Sequence, residues 1–69
     1  MTRVDVEYAA RSLYRGYNYS GSSLAYKRFH RVFSVKTTAI LRDCKEVVAR
    51  ENGFSSWALL LGDIERVAR

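Results

Sequence analysis

Sixty-nine residues that are 48% hydrophobic and 28% charged, with net charge +5 and one cysteine, make a small basic chain of globular composition. That balance excludes intrinsic disorder, and one cysteine excludes an internal disulfide or a cysteine-rich metal site. No apolar run approaches the roughly 18 residues of a membrane span, and the acids in MTRVDVEYAA break the apolar stretch a signal peptide needs, so a cytoplasmic home is expected.

One small helical domain over 1–69 is the expected organisation. A chain this short buries only about 60% of its unfolded surface, which leaves homodimerisation or docking on a larger protein open. Proline is absent and apolar residues recur at helical spacing, so the expected fold is all-α, a compact bundle of four short helices (about 3–15, 24–33, 37–52 and 56–69).

In the first helix Thr2 is the N-cap, and Asp5 at the third helical position completes a capping box. Val6, Ala9, Ala10, Leu13 and Tyr14 share one face, while Tyr8, Arg11 and Arg15 share another. The alternation over Val4–Tyr8 also fits a short strand, a less favoured alternative. RGYNYSGSS then reads as a loop, because Gly, Asn and Ser permit turns and positive φ.

The second helix is capped by Ser22 or Ser23. Its expected core arc is Ala25, Tyr26, Phe29, Val32 and Phe33; Lys27, Arg28, His30 and Arg31 lie opposite. The third turns Ile40, Leu41, Cys44, Val47 and Val48 inward, with Arg42–Glu46 and Glu46–Arg50 pairs outside. Gly53 after Asn52 supplies the left-handed residue of a C-cap. In the fourth helix Ser55 is the expected cap, Phe54 staples onto Leu59, and Trp57, Leu60, Leu61, Ile64, Val67 and Ala68 form the buried stripe. Gly62 inside it costs about 1 kcal/mol relative to Ala, which suggests a close neighbour there.

The frame Ala49-x-x-x-Gly53-Phe54-x-x-Trp57-x-x-Leu60, within residues 44–60, resembles a short helical module of some bacterial glyoxalase-superfamily-related and ankyrin-repeat-associated proteins. The resemblance covers about a quarter of the chain. It implies a helix that ends at the Gly and a following Phe and Trp that pack the next helix back on it; it implies no activity. The His that often precedes the core positions of the module's first helix has no counterpart, Leu41 standing near that place.

Function is sought in the charge distribution. Residues 1–35 hold six basic and two acidic side chains, against six and five in residues 36–69, and no Asp or Glu occurs between Glu7 and Asp43. Such asymmetry suggests a polyanionic partner. The expected reading is a non-catalytic, nucleic-acid-binding protein, DNA-binding among the options, that uses the helix 1–loop–helix 2 surface. Arg11, Arg15, Lys27, Arg28, Arg31 and Lys36 would contact phosphates. Tyr17 and Tyr19 would position or stack on bases, Ser22 and Ser23 would present N–H groups at a helix start, and His30 is an adjacent contact. The plain alternative is an amphipathic helix with its charged side in water.

The rival of a different class is a protein-interaction module, such as a small phage or plasmid regulator or inhibitor, docking on an acidic protein surface through exposed tyrosines, or through Leu59 and the end of helix 4. A further alternative has helix 4 leucines meeting across a twofold axis. Helix 4 could also be the recognition helix of a helix-turn-helix, given the spacing of Ala49 and Gly53. Its outward Ser55, Ser56, Trp57, Leu60 and Leu61 lack the side chains that read base edges, so a core hairpin is preferred. Catalysis and cofactors are not expected: there is no G-x-S-x-G elbow and no phosphate loop. A lone histidine and a Cys44 on an apolar stripe predict no metal site and an inert thiol.

Overall fold

The structure, a computed structural model, describes residues 2–35 and 38–67. Among the described residues it is all-α, with helices α1 (Arg3–Arg15), α2 (Ser23–Val32), α3 (Leu41–Glu51) and α4 (Trp57–Val67). The strand alternative for Val4–Tyr8 is thereby set aside, since those residues lie inside α1.

Helix α1 starts as its capping box dictates. The Asp5 N–H donates to Thr2 Oγ1 at 3.3 Å, and the Thr2 N–H donates back to Asp5 Oδ2 at 2.9 Å. Its far end departs from expectation. Instead of opening into a loop, the chain continues through one π-helical turn, Gly16–Ser20. The Asn18 side chain holds that turn by donating to the Tyr14 carbonyl at 3.0 Å and to the Ala39 carbonyl at 3.1 Å. Gly21, at φ 62°, reverses the chain, and the Ser22 N–H closes it onto the Gly16 carbonyl at 3.0 Å. A Cβ on Gly16 would lie 2.9 Å from Ala25 Cβ, so the absence of a side chain sets how closely α2 approaches.

Ser22 is the α2 N-cap, its hydroxyl accepting from the Ala25 N–H at 3.2 Å. Helix α3 starts later than its periodicity suggests. Ile40 is extended (φ −102°, ψ 166°) and about half-exposed, not inward-facing, and residue 37 lies outside the described residues. The β-branched residues Thr38 and Ile40 disfavour helix before Leu41. The C-terminus of α3 is a Schellman motif: the Phe54 N–H donates to the Ala49 carbonyl at 2.9 Å and the Gly53 N–H to the Arg50 carbonyl at 3.0 Å, with Gly53 at φ 87°.

Helix α4 begins one residue later than expected. Ser56, not Ser55, caps it, accepting from the Leu59 N–H at 3.2 Å, and the register of the Phe54–Leu59 staple is lost. Phe54 and Leu59 instead border an open apolar hollow of about 330 Å³. Among the described residues Gly62 has no close neighbour, contrary to the expectation its cost raised. Residues 68–69 and the side chain of Val67, part of the expected stripe, lie outside what is described.

The core joins Val6, Ala10 and Leu13 of α1, Ala25 and Phe29 of α2, Cys44, Val47, Val48 and Ala49 of α3, and Leu60 and Ile64 of α4. Helix α1 packs chiefly on α3, and the π turn carries the chain into α2. Tyr26, expected in the core, is 58% exposed. Ala25 and Phe29 already fill the α2 interface, and Tyr26 sits at its margin, where its hydroxyl can stay in water.

Candidate nucleic-acid interface

The π turn and the first turn of α2 bring part of the expected surface together. Tyr17, Gly21, Ser22, Ser23, Tyr26 and Lys27 line a hollow of about 250 Å³. Its wall is a parallel stack of Tyr17 on Tyr26, with ring centroids 5.7 Å apart and planes 4° from parallel. Such offset stacking is the arrangement that aromatic quadrupoles favour.

His30 sits behind this stack. Its Nδ1 lies 3.0 Å from the Phe33 carbonyl, which can only accept, so Nδ1 carries a proton. In the neutral ring Nε2 then accepts from the Tyr17 hydroxyl at 2.9 Å. His30 is thus half-buried and engaged in positioning Tyr17, a different role from the surface contact expected of it. Tyr17 is itself half-buried, tilted against Phe29 at 4.7 Å and stacked on Tyr26, so its ring is committed to the fold and not offered to a base.

Arg28 also leaves the expected set. Its guanidinium forms a two-pronged bond with Glu51 of α3, Nε to Oε2 at 2.9 Å and the second nitrogen to Oε1 at 2.6 Å. The Glu51 hydrogen bond raises the Arg28 pKa above its ordinary value, so the charge persists but is spent on joining α2 to α3. An acid absent from the local sequence thus arrives through the fold. The donors expected at the α2 start are likewise reduced, because the Ser22 N–H serves Gly16 and the Ala25 N–H serves Ser22.

Arg11, Arg15, Lys27 and Arg31 are exposed and form no ion pair among the described residues. Ser23 and Tyr19 are exposed too, Tyr19 meeting Tyr14 edge-on at 6.0 Å. Lys36 lies outside the described residues. Tyr26, expected in the core, is the residue of this surface that the sequence pattern left out, as Arg28, His30 and Tyr17 are those it wrongly offered to a ligand. Its position next to Lys27, at the edge of the apolar arc, was the available signal.

The remaining acids lie elsewhere. Arg3 bridges Glu7 at 3.2 Å and Glu65 at 3.6 Å, Arg50 bridges Glu46 at 3.6 Å, and Arg66 bridges Asp63 at 2.5 Å. Lys45 stands 5.5 Å from the centre of the Trp57 ring, a cation–π contact. No group of three His, Cys, Asp or Glu among the described residues is placed to hold a metal ion, and no helix among them is long and apolar enough to cross a membrane.

Cys44 is wholly buried, and burial, reinforced by Asp43 and opposed by Arg28, pushes its thiol up to about 11. The folded pKa lies above the unfolded one, so the unfolded chain loses this proton first and the native state loses stability as pH rises from about 9 towards 11. We expect the denaturation midpoint to fall between pH 8.5 and pH 10.5 by more in the native sequence than in Cys44→Ala, and the thiol to resist alkylation until the protein unfolds. Equal falls in the two proteins would show that other groups carry the dependence.

No protein-family model, curated protein or solved structure matches this chain.

Proposed function

We propose that this protein binds nucleic acid without catalysis, through phosphate contacts made by Arg11, Arg15, Lys27 and Arg31 on α1 and α2. The observation that carries this reading is that these four cations remain exposed and unpaired among the described residues, while Arg28 is matched with Glu51. Unpaired cations on a chain of net charge +5 favour a polyanion by charge complementarity and by release of its counterions.

Four phosphate contacts predict that log K falls with log salt at a slope of about −3 to −4. The double variant Lys27→Ala/Arg31→Ala should bind more weakly at every sequence, and its slope should be shallower by about 1.5. Both side chains are exposed, so its thermal midpoint should stay close to the parent's. Gel-shift titrations of duplex and single-stranded DNA at two salt concentrations measure this. Unchanged binding in the double variant would remove the surface from consideration.

The rival reading, an interaction module for a protein partner, draws on the apolar hollow bordered by Phe54, Ala58, Leu59 and Gly62. A stoichiometric, salt-insensitive complex with a protein, alongside no retention of nucleic acid, would favour it. The kinship of residues 44–60 with the bacterial helical module is likewise a proposal. Its support is that the left-handed Gly53 closes the C-terminus of α3, while Phe54 and Trp57 pack on the core and Ala49 and Leu60 lie within it.

A further inference from the structure

We infer that the nucleic acid taken by this surface is single-stranded, with one unpaired base stacked on Tyr26; this rests on the nucleic-acid reading above. Tyr26 is a large aromatic residue left 58% exposed beside a cation with no ion pair among the described residues, Lys27. Its ring is held from behind by the parallel stack on Tyr17 and by His30, whose ring centroid lies 4.2 Å away. Tyr17 is fixed in turn by its hydroxyl bond to His30 and by Phe29. The platform is therefore ordered before any ligand arrives, which lowers the entropic cost of stacking a base on it.

Tyr26 and Lys27 border the same hollow of about 250 Å³, so a base against the ring would bring its own phosphate within reach of the ammonium group. Aromatic platforms beside cations are how proteins hold single strands, because every base has a π face. A duplex keeps its bases stacked on one another and has none to offer. Charge complementarity selects a polyanion, and the exposed ring selects the form with unpaired bases.

The experiment compares a 20-nucleotide DNA strand of mixed sequence, the RNA strand of the same sequence and the matching DNA duplex, by fluorescence anisotropy at one salt concentration. The proteins are the native sequence and the variants Tyr26→Ala, Tyr26→Leu and Tyr26→Phe, each checked for folding by thermal melt. We expect tighter binding of at least one single strand than of the duplex. Tyr26→Ala and Tyr26→Leu should weaken that single strand about ten-fold or more and leave the duplex within two-fold, while Tyr26→Phe retains native affinity. Leu keeps apolar bulk against Tyr17 while removing the π face, so it separates stacking from a packing defect, and Tyr26→Phe accounts for the lost hydroxyl. Single-strand affinity unchanged in both Ala and Leu variants, or a duplex bound more tightly than either strand, would overturn the inference while the nucleic-acid reading stands. Binding of no strand and no duplex would overturn that reading and the inference with it.

Discussion

Replacing Phe29 with alanine is expected to cost about 3–5 kcal/mol, the largest loss from any single truncation in this molecule. Phe29 is fully buried and is the largest side chain so placed. Its ring is shared by two structures. It fills the interior where α2 meets the bundle, and it backs Tyr17 at 4.7 Å, Phe33 at 5.2 Å and His30 at 5.4 Å. A domain of this size has about 3–10 kcal/mol in hand, so the alanine variant should be largely unfolded or melt near ambient temperature. Phe29→Leu keeps most of the volume and should cost less than about 1.5 kcal/mol. Urea denaturation of the pair measures both, and an alanine variant within about 1 kcal/mol of native would show that Phe29 is not a principal anchor of the core.

The second large effect is expected at Gly16, where two considerations oppose one another. The residue has helical dihedrals, φ −60° and ψ −43°, so propensity alone favours Ala over Gly by about 1 kcal/mol. The new methyl would, however, lie 2.9 Å from the Ala25 Cβ, an atom fixed directly to the α2 backbone. Neither atom can rotate away, so the π turn and α2 must separate. Overpacking of this kind costs about 1–3 kcal/mol and outweighs propensity, and Gly16→Ala is expected to destabilise. Gly62→Ala is the internal control. Nothing lies within 4 Å of its would-be Cβ, so there propensity acts unopposed and the variant should gain up to about 1 kcal/mol. Thermal melts of the two variants should shift in opposite directions. Equal signs would show that backbone propensity, not the contact with Ala25, governs position 16.

Widening the Gly16 contact should also loosen the wall of the candidate site, because the π turn carries Tyr17 and α2 carries Tyr26. The fold and the candidate site are thus coupled through one interhelical distance. The same coupling explains the placement of Arg28. A guanidinium tied to Glu51 joins α2 to α3 and withdraws one charge from the outward face.

Several features followed from local sequence alone because their causes are local. Thr2 and Asp5 are three residues apart and cap α1 by themselves; Gly53 ends α3 because a glycine can take φ 87° and the two backbone bonds that close the motif span only a few residues. Helical periodicity likewise placed Val6, Ala10, Leu13, Phe29, Cys44, Val47, Leu60 and Ile64 inside, since a burial stripe repeats every turn.

The one-residue shift of the α4 cap was not legible with that accuracy, because Ser55 and Ser56 are adjacent and either can cap; nor was the late start of α3, where the extended Ile40 and not a Ser or Thr precedes the helix. The π turn over Gly16–Ser20 reads as a loop from composition, and one of the bonds that hold it, from the Asn18 side chain to the Ala39 carbonyl, comes from 21 residues away. Charge counting along the chain likewise marks Arg28 as one of seven cations in an acid-free stretch, yet its partner arrives from α3 at a separation of 23 residues.

What the sequence by itself determined is the helical class, the capping box of α1, the glycine stop of α3 and the basic, acid-poor first half of the chain, all consequences of spacings within a turn or two. The tertiary structure alone decided which of those cations stay unpaired among the described residues, that Tyr17 and His30 are half-buried against each other, and that Tyr26 faces water. These depend on which helix lies over which, and the decisive contacts join residues that no local pattern connects: Gly16 with Ala25, Tyr17 with Tyr26 and His30, and Arg28 with Glu51.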